Sequence, residues 1–145
     1  MTARHAIAVI ALVASLAVAA CQDRTDIVGG VTIYRYPTQA GVPTALVNGV
    51  LRIQDGCTFV ELAPSTLALV LWPADARLDG SDARVRVSLG GMSAGDGESV
   101  RLGGGEYSTR ADAERLVGPI AERCVAPTYW LASTITRTSP APSSS

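Results

Sequence analysis

Three cysteines, twelve arginines and thirteen carboxylates carry most of the chemistry open to this 145-residue chain, which contains no lysine. Its single histidine, His5, stands in the first few residues. Without a second histidine there is no Ser-His-Asp triad, no Cys-His pair and no imidazole metal site further along. Without lysine there is no Walker A loop, no Ser-Lys dyad and no Schiff base. What remains is carboxylate, arginine, aromatic and thiol chemistry. Glu61, Asp96, Glu98 and Glu106 are the carboxylates available for a glycosidase-type acid/base pair, but charges at strand ends and turns are ordinarily just solvated. Asp75, Asp79 and Asp82 offer oxygens to a cation, yet their spacing is not that of an EF-hand and Arg77 and Arg84 lie among them. The glycines of "LGGGE" (102–106) suggest an anion cradle; lacking a lysine and a helix directly behind them, they read more simply as a turn or bulge. No catalytic residue, metal ligand or cofactor site is assigned.

The best binding candidates are arginines. In "ARVRVSL" (83–89) strict alternation turns Ala83, Val85, Val87 and Leu89 inward and Arg84, Arg86 and Ser88 outward. "ESVRL" (98–102) is expected to pair with it across "GGMSAGDG", adding Arg101 to one cationic stripe suited to an anionic headgroup, a glycan phosphate or an acidic partner. Tyr129-Trp130 should put one ring inside and one outside, so Trp130 joins the candidate binding residues.

The cysteines divide by position. Arg4 and His5 precede fifteen residues, AIAVIALVASLAVAA, of which Ser15 alone is polar, and Cys21 follows. The length suits a secretory signal segment and is short for a membrane span. "VAAC" (18–21) resembles the lipobox of bacterial lipoproteins. That resemblance implies cleavage after Ala20 and a diacylglycerol on Cys21, with palmitate-type chains anchoring the mature protein to a membrane. In a cell with two membranes, Gln22 points to sorting to the periplasmic side of the outer membrane; otherwise the outer face of the cell membrane is implied. Cys57 and Cys124, without CxxC spacing, are then expected to form a disulfide in an oxidising compartment. From Cys21 onward eleven arginines face thirteen carboxylates, a formal charge of −2 that argues against nucleic-acid binding.

Stepping outward to the elements, residues 1–20 are the signal segment, 21–43 the lipidated start and a tether broken by glycines and prolines, 44–135 one domain, and 136–145 a disordered tail. "VTIYRY" (31–36) alternates like a short strand within that tether. Asn48-Gly49 and Asp55-Gly56 are turn dipeptides; the second should join two strands, the first marking an entry turn or bulge. "TLALVLW" (66–72) suits a strand buried on both faces and stopped by Pro73. Thr109 and Asp112 open a helix over 111–117 that Gly118 and Pro119 end, and "TYWLAST" (128–134) is a last strand. The expected class is mainly β: a small barrel or half-open sandwich, possibly OB-like, of five or six short strands with one helix.

"LVLWPAD", "SVRLGGGEY" and "RCVAPTYWLAS" together resemble a pattern in small bacterial lipoproteins, spanning residues 47–132. In that pattern one cysteine begins a core strand, Trp-Pro ends the next, a glycine-rich turn follows a V-x-L strand, and a second cysteine precedes an aromatic-rich strand. The resemblance implies the Cys57–Cys124 bridge and a β-rich domain, and brings no activity with it. The expected function is a membrane-anchored, non-catalytic domain binding a protein, glycan or headgroup of the cell envelope; the alternatives are a carboxylate-dependent hydrolase and a structural accessory lipoprotein.

Overall fold

The computed structural model describes residues 25–38, 41–63, 65–81 and 84–138. The signal segment, Cys21, Asp82, Ala83 and the tail beyond residue 138 lie outside the described residues. The protein is mainly β. Ten strands are described: β1 (Thr25–Val28), β2 (Val31–Tyr36), β3 (Ala45–Gln54), β4 (Cys57–Ala63), β5 (Thr66–Pro73), β6 (Arg77–Asp79), β7 (Arg86–Leu89), β8 (Met92–Gly95), β9 (Ser99–Tyr107) and β10 (Thr128–Arg137). One α-helix, α1 (Arg110–Val117), and a 3₁₀ turn (Glu122–Cys124) separate the last two strands. No described helix is long and apolar enough to cross a membrane.

Strands β3, β4, β5, β10 and β9 pair in a ring: β3–β4, β4–β5, β5–β10, β10–β9 and β9–β3, all antiparallel except β5–β10. The Asp55-Gly56 turn joins β3 to β4 with positive φ at both residues (52° and 72°), as a primed hairpin requires. Asn48-Gly49 is neither turn nor bulge. It lies inside β3, where a Cβ on Gly49 would stand 2.5 Å from the Glu61 carbonyl oxygen, so glycine is there for close approach to β4. Gly103–Gly105, expected as a turn or bulge, form no turn but run through the middle of β9. Opposite them the ladder is irregular, the β10 register shifting between Ala132 and Thr134 as at a bulge, and a Cβ on Gly105 would meet Pro43 at 2.6 Å. The glycines let neighbouring backbone pack against a bending strand.

Alternate residues of the central strands feed two cores. Ala68, Val70 and Trp72 of β5 join Trp130 and Ala132 of β10 in one cluster, capped by Leu78, Val87, Leu89 and Ala94 of the small β6–β7–β8 sheet. Leu69 and Leu71, with Tyr129 and Leu131, join the other, covered by Ala113 and Val117 of α1. Thr109 caps that helix, its Oγ1 accepting from the Asp112 N–H at 3.1 Å, and Gly118 ends it at φ 84°.

Residues 25–36 are no tether. β1 and β2 form a hairpin, and β2 pairs in parallel with β4 at Thr32 and with β5 from Tyr34 to Tyr36. Its alternation buries both faces: Val31 and Ile33 enter the first core, Tyr34 and Tyr36 the second. The Tyr36 hydroxyl donates to the Ala132 carbonyl at 2.6 Å, and the Tyr34 hydroxyl accepts from the Ala121 N–H at 3.0 Å. The glycine pair at 29–30, which looks like a linker break, is the hairpin turn.

Cys57 and Cys124 are disulfide-bonded and fully buried, with Cα atoms 5.6 Å apart. Their sequence separation of 67 corresponds, by loop closure in the unfolded chain, to about 4 kcal/mol of stabilisation.

Candidate functional site

The strand pairing disperses the expected arginine stripe. β7 pairs with β8, not with β9, because Gly90 and Gly91 both take positive φ and close a tight hairpin. β9 instead lies between β3 and β10, where Val100 and Leu102 fill the first core. Arg101 therefore sits on the larger sheet, its Nε donating to Asn48 Oδ1 at 2.9 Å. Arg86 keeps its outward side, but its guanidinium is committed. It donates to both oxygens of Glu98 at 2.6 and 3.0 Å and to Ser93 Oγ at 3.1 Å. That hydrogen-bonded guanidinium holds the Glu98 carboxyl below the usual carboxylate range, and Glu98 raises Arg86 in return. Arg84 is different: it is exposed and makes no ion pair with a described carboxylate.

Trp130 leaves the candidate binding surface altogether. It is 5% exposed, and Tyr129 beside it is 1% exposed. One ring outside would be the rule for a strand with a solvated face, but β10 has a core on each side, so consecutive residues both go inside. Trp130 Nε1 and the Tyr129 hydroxyl are buried without a hydrogen-bond partner among the described residues, whereas Trp72 Nε1 donates to Thr58 Oγ1 at 2.8 Å.

The carboxylates are likewise spread out. Glu61 is paired with Arg52 at 2.6 Å and thereby held below its ordinary pKa. Asp96 Oδ1 accepts from the Ile53 N–H at 2.8 Å, Asp79 bonds the Ser88 hydroxyl, and Glu106 lies on the outer side of β9. Among the described residues no group of three or more His, Cys, Asp or Glu is placed to hold a metal ion.

Arg84 and Arg86 meet again at a cleft of about 570 Å³. It is lined by the β1–β2 turn (Gly29 and Gly30), by Ile53 of β3 and Gly56 of the turn joining β3 to β4, by Arg84, Val85 and Arg86, and by Gly95 and Asp96. The lining is fastened. Thr32 N donates to the Gly56 carbonyl at 2.8 Å, and Gly97 N to the Leu51 carbonyl at 2.8 Å. Arg123 Nε donates to the Asp55 carbonyl at 3.1 Å, and the disulfide holds Cys57 directly after Gly56. Because Arg86 is engaged by Glu98, Arg84 is the cation of the lining with no ion-pair partner among the described residues; Asp96 is the one described carboxylate there, and an oxygen of it is already engaged. Sequence reasoning found Arg84 and Arg86 but not the cleft, since Gly29-Gly30, Gly56 and Gly95 read separately as turn punctuation.

No family model, no curated protein and no solved structure matches the chain.

Proposed function

We propose that this chain is a lipid-anchored protein of the cell envelope whose β-rich domain binds a compact anionic group in the cleft at Arg84, without transforming it. The observation that carries the reading is the cleft itself: a fastened, glycine-walled space of about 570 Å³ with one exposed guanidinium free of carboxylate partners among the described residues. Arginine presents a planar fork of donors suited to phosphate or carboxylate, and a fork with no ion pair among the described residues has none of those pairs to lose on binding.

The ring of strands supports a binding role. In chain order its strands run 1-2-3-5-4 and back to 1, with the third and fifth parallel, and we read it as an OB-type barrel in which the loop between the first two strands frames the binding face. Here that loop is the Asp55-Gly56 turn, whose Gly56 lines the cleft. The helix precedes the last ring strand and not the fourth, an unusual placement for that fold. Anchoring rests on "VAAC" and on the polar chain that follows it, with acyl chains on Cys21 and sorting to the periplasmic side of an outer membrane where one exists. The hydrolase alternative gains nothing, because Asp96 has no second described carboxylate beside it in the cleft.

Thermal unfolding in rising concentrations of inorganic phosphate tests the site. A ligand that binds only the folded state raises Tm in a concentration-dependent way. Wild type should show that rise, Arg84→Ala should lose it, and Arg101→Ala, away from the cleft, should keep it. Equal responses from all three proteins, or none from wild type, would remove the site.

A further inference from the structure

We infer that the anionic group taken by the cleft is a phosphate-bearing lipid headgroup of the leaflet that holds the protein's own anchor. The inference rests on the anchored, anion-binding reading above and adds what the fold says about reach. The first described strand begins at Thr25, so three residues, 22–24, separate Cys21 from β1. Gly29 in the cleft wall lies eight residue steps from Cys21. An extended chain spans at most about 3.5 Å per residue, which keeps that wall within ~28 Å of the anchored sulfur. Three residues, whatever their conformation, are too few to carry the domain far from the leaflet that holds Cys21.

The surface at that end of the molecule is amphipathic. Ile27 is 65% exposed, on β1, whose other edge has no strand partner among the described residues. It stands two residues before the Gly29-Gly30 turn, and that turn and Arg84 line the same cleft. An exposed isoleucine two residues from a cleft whose arginine has no ion-pair partner among the described residues is a combination that a bilayer surface accommodates, the apolar chain entering the interface while the guanidinium meets a phosphate. The wider protein is weakly acidic, so attraction to the leaflet must be local, and with a screening length of ~8 Å only groups at the contact count. Arg84 meets that requirement. Arg86, its fork filled by Glu98 and Ser93, sets the cleft's shape without offering free donors.

Hydrogen exchange on the acylated full-length mature protein tests this, with acylation checked by intact mass on the same sample. The protein is reconstituted in vesicles of phosphatidylcholine, with or without about a third phosphatidylglycerol. Amides of residues 29–31 and 84–86 should exchange roughly fivefold more slowly in the anionic vesicles, the scale of one arginine at a charged surface. Arg84→Ala and raised salt should each abolish that difference, while amides of α1 stay unchanged. Protection by millimolar inorganic phosphate in detergent, with none from phosphatidylglycerol vesicles, would make the ligand a free anion; it overturns the headgroup assignment and leaves the cleft's anion binding standing. No protection under either condition overturns both. A mature chain without acyl mass removes the anchor, and the reach argument with it.

Discussion

Gly49 marks how closely two strands of the ring approach. A methyl group there would stand 2.5 Å from the Glu61 carbonyl oxygen and 2.6 Å from Val60 Cγ2, contacts that neither backbone nor a fully buried valine can relieve by a rotamer change. Gly49→Ala should therefore destabilise the protein by about 1–3 kcal/mol, despite alanine's advantage in the unfolded chain. A urea midpoint unchanged from wild type would mean that β3 and β4 sit farther apart. The surface ion pairs are a different case. Arg52–Glu61 and Arg86–Glu98 are a quarter or more exposed at every side chain, so solvent screens both and each adds little to stability. Their importance is positional: they engage Arg52 and Arg86 and leave Arg84 as the cation of the cleft with no ion pair among the described residues.

At the scale of elements, the β1–β2 hairpin changes the meaning of the segment that precedes β3. Residues 31–36 alternate correctly for a strand, and that alternation is legible without coordinates. What it does not reveal is that both faces of β2 are covered, since alternation of aromatic and aliphatic residues looks the same whether one face is wet or dry. Ile33 gives a measurable distinction. It is fully buried in the first core, so Ile33→Ala should cost about 2–5 kcal/mol in a denaturant melt. A substitution in a tether would cost nothing. The same blindness to partners explains the β7–β9 pairing that does not form. Both segments carry the right pattern for adjacent strands, and the choice was made by the Gly90-Gly91 turn and by the need for Val100 and Leu102 in the core.

The whole molecule responds to pH through the junction of its two cores. The Tyr36 phenol lies at 2% exposure, and burial, reinforced by the negative charge of Asp75 and by Tyr107, pushes its pKa from 10 up to about 12. The folded state thus prefers the protonated phenol. Its contribution is fully present below pH 10 and lost as pH rises from 10 towards 12, where the unfolded chain ionises and the folded one resists. Urea midpoints should fall across that window. Tyr36→Phe, which also loses the 2.6 Å bond to Ala132, should start about 1 kcal/mol lower and fall less steeply. Parallel curves for the two proteins would place the alkaline limb elsewhere.

The sequence alone determined the features whose causes are local. The Asp55-Gly56 turn needs residues tolerant of positive φ, α1 needs its Thr109 cap and its glycine stop, and the apolar run of β5 needs burial on both faces. Each reads from a few adjacent residues, because backbone sterics and hydrogen bonding act over that range. The exclusion of histidine and lysine chemistry is equally legible, being a matter of inventory. The Cys57–Cys124 pairing also followed from the count, once Cys21 had been set apart. Tertiary structure decided everything that depends on which distant segments meet. It sent Trp130 to the core, separated Arg101 from Arg84, committed Arg86 to Glu98, and assembled a cleft from segments spread between residues 29 and 96. Those outcomes come from closing a ring of strands between two cores, a global packing condition that no short stretch of residues encodes by itself.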